Sequence, residues 1–220
     1  MDLLHRYGIE SVSVAGDTRF DRVAQVKRVA KDLPIVARFV ANAQHVIVAG
    51  STWPKEEQML ARYLQEHPNV HLILAPHEVH EPHLHQLFQY FEGRYVRYSE
   101  ANMHNIQKCR ILIVDTIGLL SSIYRYGHVA YIGGGFGVGI HNTLEAAVYG
   151  IPVVFGPNWR KFREAHGLIE AGAGLSVKNY REMTTALDRA FEQNNHMGQA
   201  AAEYVARECG ATEKIYTEIF

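Results

Sequence analysis

A glycine-rich stretch between positions 129 and 157 constrains the fold of this chain more than any other part of the sequence. An apolar run from Val129 to Ile132 ends in three consecutive glycines, 133–135, and His141 follows at the start of a helix-like segment. That segment closes at Gly150, and a second apolar run comes directly after it. The order of strand, glycine loop, helix and strand predicts a βαβ unit.

The glycine loop is predicted to hold the phosphate of a nucleotide. Residues such as Gly134 and Gly135 let the backbone approach a ligand closely and accept positive φ without strain. A helix that begins behind such a loop presents unpaired N–H groups and the positive end of its dipole to an anion. The alternative is a glycine-rich turn that binds nothing, because glycine loops alone predict ligands loosely.

The rest of the chain alternates strands and helices, which predicts an α/β, Rossmann-like parallel sheet with helices on both faces. A single domain is expected over residues 1–220, with terminal helices at about 195–220. The predicted strands are 11–16, 45–50, 70–75, 95–98, 111–114, 129–132, 153–155 and 175–177. The predicted helices are 23–31 with Asp21 as its N-cap, 34–43, 54–66, 82–91, 119–126, 141–150, one ending at 171, and the region from 180 onward with breaks near 194 and 210.

Polar loops follow five of the predicted strands. Ligands of parallel sheets sit beyond the carboxyl ends of the strands, so these loops are expected to converge on one crevice. The loops are 50–53, 76–78, 115–118, 133–142 and 156–162.

Composition excludes several classes of protein. The chain has 22 basic and 23 acidic residues, which gives no indication of a nucleic-acid partner. Cys109 and Cys209 are a hundred residues apart and indicate reduced thiols of a cytosolic protein, not a disulfide framework. No apolar run is long enough to cross a bilayer, so the chain is expected to be soluble.

Asn142 and Glu145 are candidate nucleotide ligands because a spacing of three places them on one helical face. A carboxylate in such a crevice accepts hydrogen bonds from a ribose diol. Glu145 is equally compatible with a first-turn acid that stabilises the helix dipole. His141 is a candidate donor to the phosphate or to a leaving group, with a helix-capping or packed histidine as the alternative.

Four histidines with short spacings raise the question of a metal site. We interpret them as part of a polar loop and an exposed helix turn, since no second group of ligands occurs elsewhere, and we predict neither a metal nor a cofactor. One of them, His77, lies just past a strand end and remains a candidate ligand contact. The four are His77, His80, His83 and His85.

Two further groups carry charge at the expected crevice. Asp115 ends a buried strand and is compatible with a functional acid or with a carboxylate that bonds neighbouring loop amides. The basic group at 160–163 either faces an anionic ligand or forms a solvated turn.

Several of these segments together resemble the C-terminal domain of bacterial 3-deoxy-D-manno-octulosonic acid (Kdo) transferases. Those enzymes are GT-B glycosyltransferases that move Kdo from CMP-Kdo to a lipid A precursor. The segment from the glycine loop to Pro157 is the most specific part of the resemblance, which extends over most of the chain. The matching segments are 16–21, 49–52, 115–118, 133–145 and 150–157.

The resemblance implies that six residues line a CMP-Kdo site: Ser51, Thr52, Gly134, Gly135, Asn142 and Glu145. Two departures from the family pattern matter. His77 stands where the family commonly has arginine, so His77 or another basic residue has to meet the negative charge of the donor. Leu119 stands where the family has glutamate.

The family resemblance also implies that the acceptor-binding domain, the membrane attachment and the general-base glutamate precede the region present here. The chain is therefore expected to be the donor-binding half of an enzyme at the cytoplasmic face of the bacterial inner membrane. On its own it is expected to bind CMP-Kdo without transferring Kdo, and no catalytic residue is assigned. The alternatives are another GT-B domain, from a UDP-sugar transferase or an epimerase, and a non-catalytic nucleotide-binding module.

Overall fold

The computed structural model describes residues 2–91 and 93–219, and within them seven strands form one parallel sheet. The strand order across the sheet is β3-β4-β2-β1-β5-β6-β7. This confirms the predicted Rossmann-like parallel sheet. The strands are β1 (His45–Thr52), β2 (Val70–Pro76), β3 (Tyr95–Arg97), β4 (Ile111–Ile113), β5 (Val129–Ile132), β6 (Val153–Phe155) and β7 (Gly174–Ser176).

Helices cover both faces of the sheet. Alternate residues of β1 enter two separate apolar cores: Val46 and Val48 pack with α2, α3, α7, α8 and α10, whereas Ile47 and Ala49 pack with α4, α5 and α9. Burial on both faces explains why the strands are continuous apolar runs. The helices are α1 (Asp2–Arg6), α2 (Thr18–Arg28), α3 (Pro34–Val40), α4 (Pro54–Glu66), α5 (Glu81–Phe91), α6 (Leu120–Ile123), α7 (Leu144–Ala147), α8 (Arg163–Glu170), α9 (Tyr180–Glu192), α10 (Asn194–Glu208) and α11 (Ala211–Ile219). Short 3-10 helices lie at Tyr98–Glu100, Ile106–Lys108 and Tyr124–Tyr126.

The strand order reverses between β1 and β5. From β1 the chain builds the sheet towards β3, and it then returns to the other side of β1 to add β5, β6 and β7. Such a reversal opens a crevice at the carboxyl ends of the two central strands, where open α/β sheets bind their ligands. The residues directly after β1 and β5 therefore occupy the position most suited to a ligand.

The predicted strand at 11–16 and the N-cap at Asp21 were wrong, whereas the helix predicted at 23–31 is present as α2, which begins earlier, at Thr18. Residues 11–16 form no strand, because they lie along α11, where Lys214 Nζ donates to Val14 O at 2.6 Å and Ser13 hydrogen-bonds Glu218. The cap of α2 is Asp17, whose Oδ1 accepts from Arg19 N at 2.9 Å. Asp21 instead accepts from the amides of Gly210 and Thr212 at the start of α11.

The helix predicted from position 141 begins three residues later. His141 N donates to Gly133 O at 3.0 Å, and Asn142 Oδ1 accepts from Leu144 N at 3.1 Å, so the loop conformation extends to position 143. The helical region from 180 has the predicted breaks, at Gln193 and at 209–210, while position 220 of its last segment lies outside the described residues. No helix in the described residues is long and apolar enough to span a membrane.

Asp115 ties the outer strands β3 and β4 together. It accepts from Arg97 Nε at 2.8 Å and from Ser99 N at 3.0 Å, and it also accepts from the Ser99 hydroxyl. Burial pushes the pKa of Asp115 up, but the hydrogen bonds from Ser99 and Arg97 outweigh it and hold that pKa below its usual value. Of the two predicted roles for Asp115, the structure supports a carboxylate bonded to its neighbours, with a guanidinium added.

We expect Asp115→Asn to lower the free energy of unfolding at pH 7 by about 2 kcal/mol, since hydrogen bonds to a charged group are lost. A carboxylate with a lowered native pKa stabilises the fold above its unfolded pKa and loses that effect as the pH falls through the native pKa. The difference in free energy of unfolding between wild type and variant should therefore shrink below about pH 4. Urea unfolding at several pH values measures this difference.

The control is Asp32→Asn, because Asp32 forms an exposed ion pair with Arg125. Equal effects of the two substitutions would contradict the assigned role.

Candidate functional site

The ends of β1 and β5 meet in direct backbone contact. Gly133 N donates to Gly50 O at 2.9 Å, and a Cβ placed on Gly133 would lie 2.1 Å from Ser51 O. Ser51 has φ of 53°, and no other non-glycine residue in the described part of the chain has positive φ. Backbone strain of this kind is held in place by surrounding contacts and clusters at functional sites. The two loops that sequence reasoning selected are thus one structural unit.

The glycine loop is also interlocked with the loop after β6. A Cβ on Gly135 would lie 2.6 Å from Gly156 N, and Asn158 N donates to Gly135 O at 2.9 Å. Asn158 Nδ2 donates to Gly137 O at 2.6 Å. The expected convergence of these strand-end loops is observed here, and glycine is needed because the backbones touch.

Gly134 does not present a free amide to a ligand in this structure. Its φ is 87°, and its N–H donates at 3.1 Å to Glu56 Oε2, which also accepts from Trp53 N at 3.0 Å. Glu56 lies in the first turn of α4 and is fully buried. The amide that the sequence predicted as a donor to a phosphate therefore already donates to a carboxylate of the protein.

Two buried glutamates, Glu56 and Glu57, lie beneath the crevice, and sequence reasoning missed both. Burial raises the pKa of each. Hydrogen bonds from the backbone amides of Gly134 and Trp53 oppose that rise at Glu56, and nearby His83 opposes it at Glu57. The signal in the sequence was two adjacent acids in a first turn, a pattern that exposed helix starts share.

Three aromatic rings stack at the crevice. The ring of His77 lies between Trp53 and His141, with centroid distances of 4.7 Å and 4.6 Å. Trp53 Nε1 donates to His141 Nε2 at 3.5 Å, an arrangement that requires the His141 tautomer with its proton on Nδ1. Burial, and to a lesser degree His77, lowers the pKa of His141. The structure thus brings His77 and His141, predicted independently, to the same place.

Asn142 and Glu145 adjoin this stack on the chain and contact each other. Asn142 Nδ2 donates to Glu145 Oε1 at 3.1 Å, and Asn142 Oδ1 accepts from the amide of Leu144, the first residue of α7. Glu145 is half-buried, and burial raises its pKa against the hydrogen bond from Asn142. One oxygen of Glu145 is therefore engaged by Asn142, and the pair comes directly after the glycine loop on the chain.

The other histidines of the 77–85 segment pair with carboxylates one by one. His83 Nε2 lies 3.1 Å from Glu57 Oε1 in the interior, and His80 Nε2 lies 2.8 Å from Glu78 Oε2 at the surface. Within residues 2–91 and 93–219, no three histidine, cysteine, aspartate or glutamate side chains are arranged to hold a metal ion.

Lys55 supplies a positive charge beside the glycine loop. Its Nζ lies over the Phe136 ring, 4.8 Å from the ring centroid. Lys55 is exposed and comes directly before Glu56 in the first turn of α4. Sequence reasoning overlooked it and considered only the basic group at 160–163.

A large cleft elsewhere on the surface is a weaker candidate site. It has a volume of about 1120 Å³, lies between α2 and α11, and includes Arg19 and Asp21 in its lining. Arg19 is already paired with Asp17 and Glu164, and Asp21 is bonded to the start of α11. These polar groups hold the fold together and leave little for a ligand.

The chain is related in sequence to the Kdo transferases. The 3-deoxy-D-manno-octulosonic acid transferase of Aquifex aeolicus is 31% identical over 147 residues, which are 64% of this chain and 40% of that protein. The chain therefore spans about two fifths of the length of this curated relative. The resemblance seen in the sequence motifs is confirmed. No protein-family model matches the chain.

Solved structures show the same fold. The C-terminal CMP-Kdo binding domain of WaaA from Acinetobacter baumannii superimposes with a TM-score of 0.64 at 20% identity, covering 89% of this chain and 97% of that domain. HepE from Anabaena, in complex with UDP, superimposes with a TM-score of 0.54 at 14% identity, covering 86% of this chain and 52% of HepE. At these identities the likeness establishes the fold alone, a Rossmann-like α/β domain.

We expect Gly133→Ala to lower the free energy of unfolding by about 3 kcal/mol, the upper part of the usual range for overpacking. Its Cβ would meet the backbone at Ser51, which has no rotamer with which to withdraw. Gly137→Ala is the matched control in the same loop, because its Cβ would lie 3.6 Å from the nearest atom. Thermal or urea unfolding compares the two. A Gly133→Ala protein as stable as Gly137→Ala would show that the loops are not locked together.

Proposed function

We propose that this relative of the Kdo transferases is a donor-binding unit that holds a CMP-sugar, CMP-Kdo, in the crevice between β1 and β5. We treat residues 1–220 as one such unit. The observation that carries the proposal is the meeting of strained Ser51 and the glycine loop at the point where the strand order reverses, with the Asn142–Glu145 pair directly after this loop on the chain. The sequence relationship to Kdo transferases selects the donor among the nucleotides that suit such a crevice.

The ribose is assigned to Glu145. Its carboxylate is half-buried and oriented by Asn142, and its remaining oxygen is proposed to accept hydrogen bonds from the ribose hydroxyls. Acids at the corresponding edge of dinucleotide folds bind the ribose in the same manner. The half-burial of Glu145 argues against a role confined to the α7 dipole, which an exposed acid would serve equally well.

The phosphate is assigned to the loop that contains Gly134 and Gly135, with Ser51 and Thr52 on its other side. CMP-sugars carry one phosphate, so the positive charge required is small. Lys55 lies beside this loop and provides it. His141 reaches the same region, since a Cβ on Gly134 would lie 3.0 Å from its ring.

His77 takes the place of the arginine that the family commonly has. In the structure it is sandwiched between Trp53 and His141 and is exposed on its edge. We propose that it contacts the acidic sugar of the donor. A stacked imidazole offers one hydrogen bond where a guanidinium offers a fork of several, so recognition here depends more on Lys55.

Transfer of Kdo to a lipid A precursor requires more than these residues. Kdo transfer is proposed for a protein that joins this unit to an acceptor-binding part, at the cytoplasmic face of the inner membrane. The role of this chain in that reaction is to position the donor and to stabilise the departing CMP phosphate with loop N–H groups and nearby cations. We assign the general base to none of its residues.

A UDP-sugar is the second candidate donor. The observation that favours it is the fold shared with HepE, whose structure contains UDP. A diphosphate needs more donors than a single phosphate, yet the Gly134 amide is already engaged by Glu56. Calorimetric titration with CMP, CDP and UDP separates the two, and a preference for UDP would overturn the CMP-sugar proposal.

We expect Glu145→Ala to weaken CMP binding about tenfold or more, because hydrogen bonds to a charged group contribute about 1.5–3 kcal/mol each. The matched control is Glu182→Ala. Asn179 Nδ2 donates to Glu182 Oε1 at 3.1 Å at the start of α9, so the control removes the same Asn-x-x-Glu contact outside the proposed site. Calorimetry of the three proteins with CMP measures the effect. Equal affinities for wild type and Glu145→Ala would remove Glu145 from the site.

We expect Lys55→Gln to weaken CMP binding several-fold, with the loss largest at low salt, because an exposed charge acts through a screened field. Lys108→Gln is the control: Lys108 is exposed and precedes β4, at the opposite edge of the sheet. Titrations at low and high sodium chloride concentrations give the salt dependence. If Lys55→Gln and Lys108→Gln lose the same affinity for CMP, the net charge of the protein attracts the nucleotide and Lys55 makes no local contact with it.

A further inference from the structure

Glu56 connects α4 to the glycine loop through a single buried oxygen. Its Oε2 accepts from Gly134 N at 3.1 Å and from Trp53 N at 3.0 Å, so one atom joins the helix start to the loop. The side chain is fully buried. The Gly134 amide is thereby held by the protein itself, at the place where the proposed function puts a phosphate.

No cation in the described part of the chain neutralises the charge of Glu56, although the backbone amides of Gly134, Trp53 and Phe136 lower its pKa. Its second oxygen, Oε1, has no hydrogen-bond partner in the described part of the chain, and no described cation forms an ion pair with the carboxylate. The acidic groups close to it are Glu57 on α4 and Tyr131 on β5, whose buried hydroxyl also has no partner among the described residues. Lys55 is directed to Phe136 in the loop above.

An anion in the loop and a charged Glu56 are in conflict. Two like charges a few ångströms apart repel strongly when little water lies between them, since the effective dielectric constant is then far below that of water. Protonation at Oε1 removes the charge and leaves both hydrogen bonds at Oε2 in place. Burial already raises the pKa of Glu56, so a nearby anion adds to an existing tendency.

We propose that Glu56 is a proton-dependent positioning residue: it holds the Gly134 amide and the loop against α4, and an anion occupies the loop only when Glu56 is protonated. This rests on the proposed function in one respect, that the loop is the phosphate site. Binding of the donor phosphate then takes up a proton from solution. Affinity falls as the pH rises, because the charged form of Glu56 has to be neutralised first.

The probe is the methyl ester of CMP, whose phosphodiester does not titrate near neutral pH, whereas the phosphate of CMP has a second pKa of about 6. Calorimetry at pH 5.5 and pH 8.0, in two buffers with different ionisation enthalpies, gives the affinity and the number of protons taken up. We expect wild type to bind about tenfold more weakly at pH 8.0, with proton uptake. Glu56→Gln should lose most of the pH dependence and of the proton uptake, because its amide oxygen still accepts both backbone hydrogen bonds.

Glu57→Gln is the matched control, one residue away and equally buried. Glu57 Oε1 accepts from Thr52 Oγ1 at 3.1 Å and lies 3.1 Å from His83 Nε2, so Glu57 makes no hydrogen bond to the glycine loop. Because the charge of Glu57 raises the pKa of Glu56, this variant should keep the pH dependence and the proton uptake, with the profile displaced to lower pH. His77 and His141 are the other proton-binding side chains at the crevice. A Glu56→Gln protein with unchanged pH dependence and proton uptake would assign the effect to them and overturn the proposal.

A second anion separates failure of this inference from failure of the proposed function. If the CMP ester does not bind but inorganic sulfate binds with the same dependence on pH and on Glu56, the donor assignment fails and the role of Glu56 stands. If neither binds wild type at pH 5.5, both are overturned. Should Glu56→Gln not fold, the carboxyl ¹³C shift of Glu56 in wild type replaces it: sulfate should move the shift towards the protonated value, and an unmoved shift overturns the proposal.

Discussion

The arrangement of the loops after β1, β5 and β6 depends on direct contacts between their backbones. Gly133 lies against Ser51, and Gly135 lies against Gly156, with no room for a Cβ at either contact. Three strands therefore end within touching distance, and side chains are excluded from the centre of the crevice. The groups that can recognise a ligand are displaced to its border, where Trp53, His77 and Glu145 are found.

The electrostatics of this edge are unusual for an anion site. Two fully buried glutamates lie under the loop, while Lys55 is the cation that lies against the loop itself. Glycine loops are normally considered as rows of free N–H donors, but here a carboxylate engages one of those donors in advance. The carboxylate of Glu56 that competes with a ligand for the Gly134 amide also holds the loop in position.

The sequence predicted the architecture well because buried parallel strands have a clear signature. The run at 45–50 is apolar after His45, those at 129–132 and 153–155 are apolar throughout, and each was located to within two residues. The segment at 11–16 alternates serine and valine as a half-buried strand does, but it packs along α11, and no local pattern reveals the absence of a neighbouring strand. The loop extends past His141 because His141 N donates to Gly133 O, eight residues earlier in the chain. The spacing of residue types in the sequence does not indicate such a hydrogen bond.

The site was predicted in part. The glycines and the Asn142–Glu145 pair come from one contiguous motif, so a sequence reading reaches them; their roles as ligand contacts remain predictions. Glu56 is different, because its partner Gly134 is 78 residues away and its first-turn position is typical of an exposed acid. The stack of Trp53, His77 and His141 likewise joins three separate loops and exists only once the strand order is known.

That stack gives the molecule a built-in optical reporter. The chain has two tryptophans, and each lies against an imidazole: Trp53 on His77, and Trp159 near His166, at ring-centroid distances of 4.7 Å. The emission of an indole is sensitive to the groups that touch its ring. The intrinsic fluorescence of this protein therefore reports on two separate indole–imidazole contacts, one at the crevice and one at the loop that leads into α8, and removing either tryptophan isolates the other.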